Sequence, residues 1–68
     1  MKLSLNGEPR ELDDGAKVPA AIEAAGAEPA EGGIAVAIDG EVVPRSQWGR
    51  TPLREGQQIE VLQAVQGG

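Results

Sequence analysis

Two tight-turn dipeptides, one on each side of a single helical stretch, most constrain the fold of this 68-residue chain. Asn6-Gly7 and Asp39-Gly40 both combine residues that tolerate the left-handed backbone of a two-residue hairpin turn. Polar and apolar residues alternate around the first turn, which predicts a hairpin over residues 2–12. Around the second turn, residues 34–38 and 41–43 predict another hairpin. The proline at position 9 places the returning strand of the first hairpin at a sheet edge.

Between the hairpins the apolar period changes from two residues to that of a helix. Apolar residues spaced i, i+3, i+4 and i+7 predict one buried helix face, formed by Val18, Ala21, Ile22 and Ala25. Pro19 fits the first turn of such a helix, and Gly26 fits the position just after its end. Residues 27–33 contain acids, a proline and glycines, and are predicted to form a loop.

The last part of the chain predicts one short turn element and one more strand. Residues 45–51 are interpreted as a turn or a single helical turn that carries Trp48. Residues 58–65 are apolar on both faces, which predicts a central strand covered by the helix on one face and partly covered on the other. We expect the core to be formed by Leu3, Leu5, Ile22, Val36, Ile38, Ile59 and Val61.

The order of these elements is strand, strand, helix, strand, strand, short turn, strand. It predicts an α+β fold of the β-grasp (ubiquitin-like) type, with a mixed sheet of four to five strands packed on one helix. At this length we expect one domain over residues 1–65, followed by a flexible tail over residues 66–68.

Composition excludes several classes of function. The sequence has no cysteine and no histidine, so we expect neither a classical metal centre nor self-contained catalysis. We therefore predict that the chain is not an enzyme. Asp13-Asp14 is interpreted as a turn, because two carboxylates without further ligands seldom form a metal site. The net charge of −5 argues against nucleic acid and anionic membranes as partners. Without a targeting or membrane-spanning pattern, a cytoplasmic domain is expected.

The closing residues Gln66-Gly67-Gly68 are the main functional candidate. A glycine pair has no Cβ atoms, so it can lie extended in a narrow slot of another protein. We expect a partner to recognise Gln66 and Gly67 and to act on the carboxylate of Gly68. A frayed end without a function is the simple alternative. Residues 27–33 are expected to lie far from this tail.

Four stretches of the sequence carry a family resemblance: Leu3-Ser4-Leu5-Asn6-Gly7-Glu8, Val42-Val43-Pro44-Arg45 with Trp48, Leu53 to Val61, and Ala64-Val65-Gln66-Gly67-Gly68. On these stretches the chain resembles the ThiS family, the sulfur carrier proteins of thiamine biosynthesis. The resemblance covers essentially the whole chain. It departs from the family at Gln57-Gln58, where an aspartate and another charged or polar residue are expected, and in a helix that has alanines in place of leucines.

The resemblance implies a protein substrate and three partners. An E1-like adenylyltransferase would use ATP to adenylate the carboxylate of Gly68, and a persulfide sulfur donor would then displace AMP to give a thiocarboxylate. Thiazole synthase would accept the sulfur. The chain would bind no cofactor itself, because ATP is used by the activating partner.

Four further residues have two interpretations. Trp48, the only aromatic residue, can pack in the core or contact a partner. Arg45, Arg50 and Arg54 can form an ordinary solvated surface or together orient a partner near the tail.

Two other functions stay open from the sequence. The chain can be a related sulfur carrier, such as the small subunit of molybdopterin synthase. It can also be a non-transferring β-grasp interaction module, which should function normally with the tail removed.

Overall fold

Five strands form one mixed sheet in the computed structural model, which describes residues 1–64. The strands are β1 Lys2–Leu5, β2 Glu8–Glu11, β3 Ile34–Ile38, β4 Glu41–Val42 and β5 Gln58–Gln63. Their order across the sheet is β2-β1-β5-β3-β4, with β5 parallel to β1 and every other neighbouring pair antiparallel. The predicted β-grasp fold, with the last strand between two hairpins, is confirmed.

Both hairpin turns have the backbone that their dipeptides predict. The φ angles are 51° at Asn6 and 81° at Gly7, and 50° at Asp39 and 86° at Gly40. Two successive left-handed residues match the right-handed twist of the flanking strands. β2 contains Pro9 and lies at the sheet edge, as predicted, whereas β4 is one residue shorter than predicted.

One α-helix and one 3₁₀ helix pack on the same side of the molecule. The α-helix, α1, spans Val18–Ala24 with a proline in its first turn, and Gly26 follows its end at a φ of 88°. The 3₁₀ helix spans Arg45–Arg50 and confirms the predicted helical turn around Trp48. No helix within residues 1–64 is long and apolar enough to cross a membrane.

The core lies between α1 and one face of the sheet. All predicted core residues are buried except Ile38, which is only partly buried. Trp48 and Leu53 join them. Leu53 was not predicted because it lies in an irregular segment, which is drawn against the start of α1 by a hydrogen bond from the Leu53 N–H to the Ala16 carbonyl (2.9 Å).

The second face of the sheet is open. Leu62 on β5 is 64% exposed and Val42 on β4 is 74% exposed. The expectation that this face of β5 is partly covered is therefore wrong for the residues described. The physical reason is that the 3₁₀ helix packs against α1 and adds to the covered side.

Candidate functional site

The site begins where β5 ends, at Gln63, and Ala64 is the last residue described. Gln66, Gly67 and Gly68 lie outside the described residues, so their predicted mobility and roles stay predictions. The structure does show what surrounds the residues from which this tail starts.

Residues 27–33, which we call the exit loop, lie beside the end of β5. β5 runs antiparallel to β3, with Gln63 opposite Ile34, so the end of β5 meets the segment that leads into β3. The Ala64 N–H donates to the Gly33 carbonyl (2.8 Å), and Gln63 Nε2 donates to Glu31 Oε2 (2.7 Å). The expectation that this loop lies far from the tail is therefore wrong.

Gly33 allows the exit loop to approach β5 closely. Its φ is +76°, and an added Cβ would lie 3.4 Å from the Cβ of Ala64. A side chain at this position would be disfavoured by the left-handed backbone, although its Cβ would make only an ordinary van der Waals contact with Ala64. The glycine therefore adopts the backbone conformation in which its carbonyl accepts the hydrogen bond from Ala64, the last described residue.

Arg45 is used within the fold. Its Nη1 donates to the Glu31 carbonyl (2.9 Å) and its Nη2 donates to the Pro29 carbonyl (2.7 Å). The guanidinium carbon lies 4.9 Å from the centroid of the Trp48 ring, which gives a cation–π contact. Arg45 thus connects the 3₁₀ helix to the exit loop.

Trp48 packs in the core, which confirms the first of its two interpretations. Its side chain lies in the cluster under α1, and the residue is only 5% exposed. Its Nε1 donates to the Val43 carbonyl (3.0 Å), so the buried indole N–H is satisfied.

The other two arginines lie elsewhere. Arg50 is exposed at the end of the 3₁₀ helix, and Arg54 is exposed in the turn that precedes β5. The six residues of β5 are separated by five steps of roughly 3.3 Å, so its two ends are about 16 Å apart, and Arg54 lies before its first residue. Arg54 therefore lies at the end of β5 opposite to the last described residue, Ala64. A role in docking for Arg45, Trp48, Arg50 or Arg54 stays a prediction.

Two turn residues complete the pairing of β5. Asn6 Oδ1 accepts from the Val61 N–H (2.8 Å), and Asn6 Nδ2 donates to the Val61 carbonyl (3.2 Å). Asp39 Oδ1 accepts from the Gln58 N–H (2.9 Å). The turns of both hairpins therefore bind β5, and the exit loop binds its end.

The acidic pair in the loop before α1 forms an ordinary contact. Asp14 Oδ1 lies 3.2 Å from the amino group of Met1. Within residues 1–64, no three acidic side chains come together as a group that could hold a metal ion.

Comparison with known proteins places this arrangement in a family. The sequence profile of the ThiS family matches residues 3–68, which includes the closing Gln-Gly-Gly. The chain belongs to the ThiS family. This membership favours the ThiS interpretation over the small subunit of molybdopterin synthase.

Individual relatives agree with the family match. The sulfur carrier protein ThiS of Escherichia coli (strain K12) is 40% identical over 38 residues, which are 56% of this chain and 58% of that protein. A crystal structure of the thiamine biosynthesis protein ThiS from Geobacter metallireducens is 30% identical, with a TM-score of 0.77 over all of both chains. An NMR structure of a thiamine biosynthesis protein from the same organism has a TM-score of 0.78 at 30% identity, over all of this chain and 88% of that one.

Proposed function

We propose that the chain is a sulfur carrier protein that donates sulfur for thiazole formation in thiamine biosynthesis. The observation that carries the proposal is the ThiS family match, which runs through Gly68. Similarity to the Escherichia coli sulfur carrier protein ThiS and to the thiamine biosynthesis protein of Geobacter metallireducens supports it. In this proposal the chain is the protein substrate of its partners and is not itself an enzyme.

The chemistry takes place on the carboxylate of Gly68. A carboxylate resists nucleophiles, so an E1-like adenylyltransferase first joins its oxygen to the α-phosphorus of ATP, and pyrophosphate leaves. The outer sulfur of a persulfide on a donor protein then attacks the acyl carbon, and AMP leaves. A thiol attacks the inner sulfur of the resulting acyl disulfide, which releases the thiocarboxylate and a new disulfide. Thiazole synthase accepts the sulfur.

The chain contributes a rigid base and a narrow tail to this sequence of reactions. Gly67, which has no Cβ, can enter a slot sized for bare backbone, and Gln66 supplies the remaining recognition. ATP is used by the activating partner, so the chain needs no cofactor of its own. We place the reactions in the cytoplasm, where a chain without cysteine is unaffected by the reducing conditions.

The direct test is the intact mass of the protein from cells starved of thiamine. A fraction should carry one sulfur in place of one oxygen, and deleting Gly68 should remove that fraction. Reconstitution with thiazole synthase then distinguishes this carrier from one that serves another product. An unmodified mass, in cells whose donor system is shown to be active, contradicts the proposal.

Tail removal separates the proposal from a non-transferring interaction module. A module of that kind should keep its function without Gly67 and Gly68. A sulfur carrier should lose all support of thiazole formation while its thermal melt stays unchanged.

A further inference from the structure

Arg45 connects the buried core to the exit loop, and through that loop to the residues from which the tail starts. We propose that Arg45 is a positioning residue for the tail: it holds the exit loop against the end of β5 and so sets where the tail leaves the domain. This inference rests on the proposed function, because the tail is the segment that the activating partner must receive.

The inner end of this connection is rigid. Trp48 is buried, and its indole N–H is held by the Val43 carbonyl at 3.0 Å. The guanidinium of Arg45 lies over this ring, with 4.9 Å between its central carbon and the ring centroid. A planar guanidinium stacked on a fixed aromatic ring has few orientations available. Arg45 itself is exposed, and this contact with the buried ring restrains its guanidinium from the side of the core.

The outer end grips the backbone of the exit loop at two points. Two nitrogens of Arg45 donate to the carbonyls of Pro29 and Glu31, at 2.7 and 2.9 Å. Both acceptors are main-chain atoms, so Arg45 constrains the path of the loop and not only the rotamer of one side chain. The compact ammonium of a lysine lacks the planar fork that spans these two carbonyls.

The exit loop in turn holds the last described residues. Glu31, whose carbonyl is bound by Arg45, accepts from Gln63 Nε2 through its own carboxylate at 2.7 Å. Two residues further on, the Gly33 carbonyl accepts from the Ala64 N–H at 2.8 Å. If the loop loses its attachment to Arg45, these two bonds lose the support of the core.

The position of the exit matters for the proposed chemistry. A partner must bring the carboxylate of Gly68 into line with the α-phosphorus of ATP, and a misplacement of about 1 Å can cost ~100-fold in rate. A start point fixed at Ala64 shortens the segment whose position the partner has to determine. Loosening that point should therefore slow adenylation without unfolding the domain.

The central experiment compares Arg45→Lys with Arg10→Lys, which makes the same change at an exposed arginine of the edge strand β2. Two quantities are measured: hydrogen exchange at the Ala64 amide, and kcat and KM for ATP–pyrophosphate exchange by the activating enzyme. Arg45→Lys should speed Ala64 exchange about tenfold and leave exchange at Val61 unchanged, since only a local contact opens. The value of kcat/KM should fall about tenfold. Arg10→Lys should change neither quantity.

Glu31→Ala tests whether the two contacts act in series. It removes the acceptor of Gln63 but keeps the main-chain carbonyl that Arg45 binds. Because both substitutions loosen the same exit, the double variant should lose little more activity than Arg45→Lys alone. Losses that multiply would show that Arg45 acts independently of the exit loop and would overturn the inference.

Arg45→Met separates positioning from a charge contact with the partner, and it repeats the test if the lysine variant does not fold. A positioning role predicts the same change for both variants. Loss of activation with unchanged Ala64 exchange, or a much larger loss for methionine than for lysine, would assign Arg45 to direct docking. Faster Ala64 exchange with parental activation would show that the exit position is irrelevant. If the parent is not adenylated at all, the proposed function fails, and with it the purpose assigned to Arg45. Ala64 exchange still decides whether Arg45 holds the exit.

Discussion

Asn6 and Asp39 each occupy the first position of a hairpin turn, and each also binds the backbone of β5. In each turn this residue and the glycine after it both have a positive φ, which Asn, Asp and Gly tolerate better than other residues. Their side chains add a second role, since Asn6 makes two hydrogen bonds to Val61 and Asp39 makes one to Gln58. The sequence predicts the turn role from the dipeptide alone. The second role depends on where β5 lies, and therefore on contacts with residues more than fifty positions away for Asn6.

Glycine substitution at these two positions should separate the two roles. Glycine keeps the left-handed backbone, so Asn6→Gly reports the loss of two partly buried hydrogen bonds and should cost ~1–2 kcal/mol of unfolding free energy. Asp39→Gly removes one exposed bond and should cost less than ~1 kcal/mol. Urea unfolding followed by the fluorescence of Trp48 measures both. Equal losses at the two sites would show that the contacts to Val61 add nothing beyond the turn.

At the scale of elements, the strands, the helix and their order follow from period and turn chemistry. The dipeptides force φ above zero, and the change of apolar period marks α1, so these features need only local information. The residues beside the end of β5 can be predicted only if the direction of β5 relative to β3 is known. Because that pair is antiparallel, the loop before β3 lies beside the end of β5, which places Glu31 and Gly33 there and leaves Arg54 at the other end. An irregular acidic loop has no period that could have indicated this.

The 3₁₀ helix depends on Trp48 for its place on α1. Trp48→Ala should cost ~3–5 kcal/mol, because it removes the largest side chain of the core and leaves a cavity. Trp48→Phe keeps most of the apolar surface but leaves the Val43 carbonyl without its donor, so ~1–3 kcal/mol is expected. Far-UV circular dichroism in urea is the suitable probe, since both variants lack the only tryptophan. A loss below ~1 kcal/mol for the alanine variant would contradict a core role and return Trp48 to the surface.

At the scale of the whole molecule, the fold supports its last strand along both edges, at its end and on one face. β5 lies between β1 and β3, Asn6 and Asp39 bind its backbone, and the exit loop holds its end. The core residues Ile59 and Val61 fix one face of the strand under α1. These contacts all lie within residues 1–64, so we expect stability and activation to respond to different parts of the chain.

Substitution of Gly67 tests this separation. Gly67→Val should change the unfolding free energy by less than ~0.5 kcal/mol, as for substitutions outside the core generally. Adenylation should fall by ~100-fold or more, because a branched Cβ does not fit a slot sized for bare backbone and shifts the carboxylate of Gly68 by about 1 Å. Gly67→Ala, which adds only one carbon, should give an intermediate loss.

The control is Glu11→Val, which places the same side chain on the exposed edge strand β2. Glu11 pairs with Lys2, at the start of β1, and so lies at the end of the sheet opposite to Ala64. It should be adenylated at the parental rate. Thermal melts and ATP–pyrophosphate exchange are measured on all three variants. If Gly67→Val melts like the parent and is adenylated equally fast, the carrier proposal fails. If Gly67→Val unfolds the protein, the residues beyond Ala64 contribute to the core, and the separation of fold from tail is what fails.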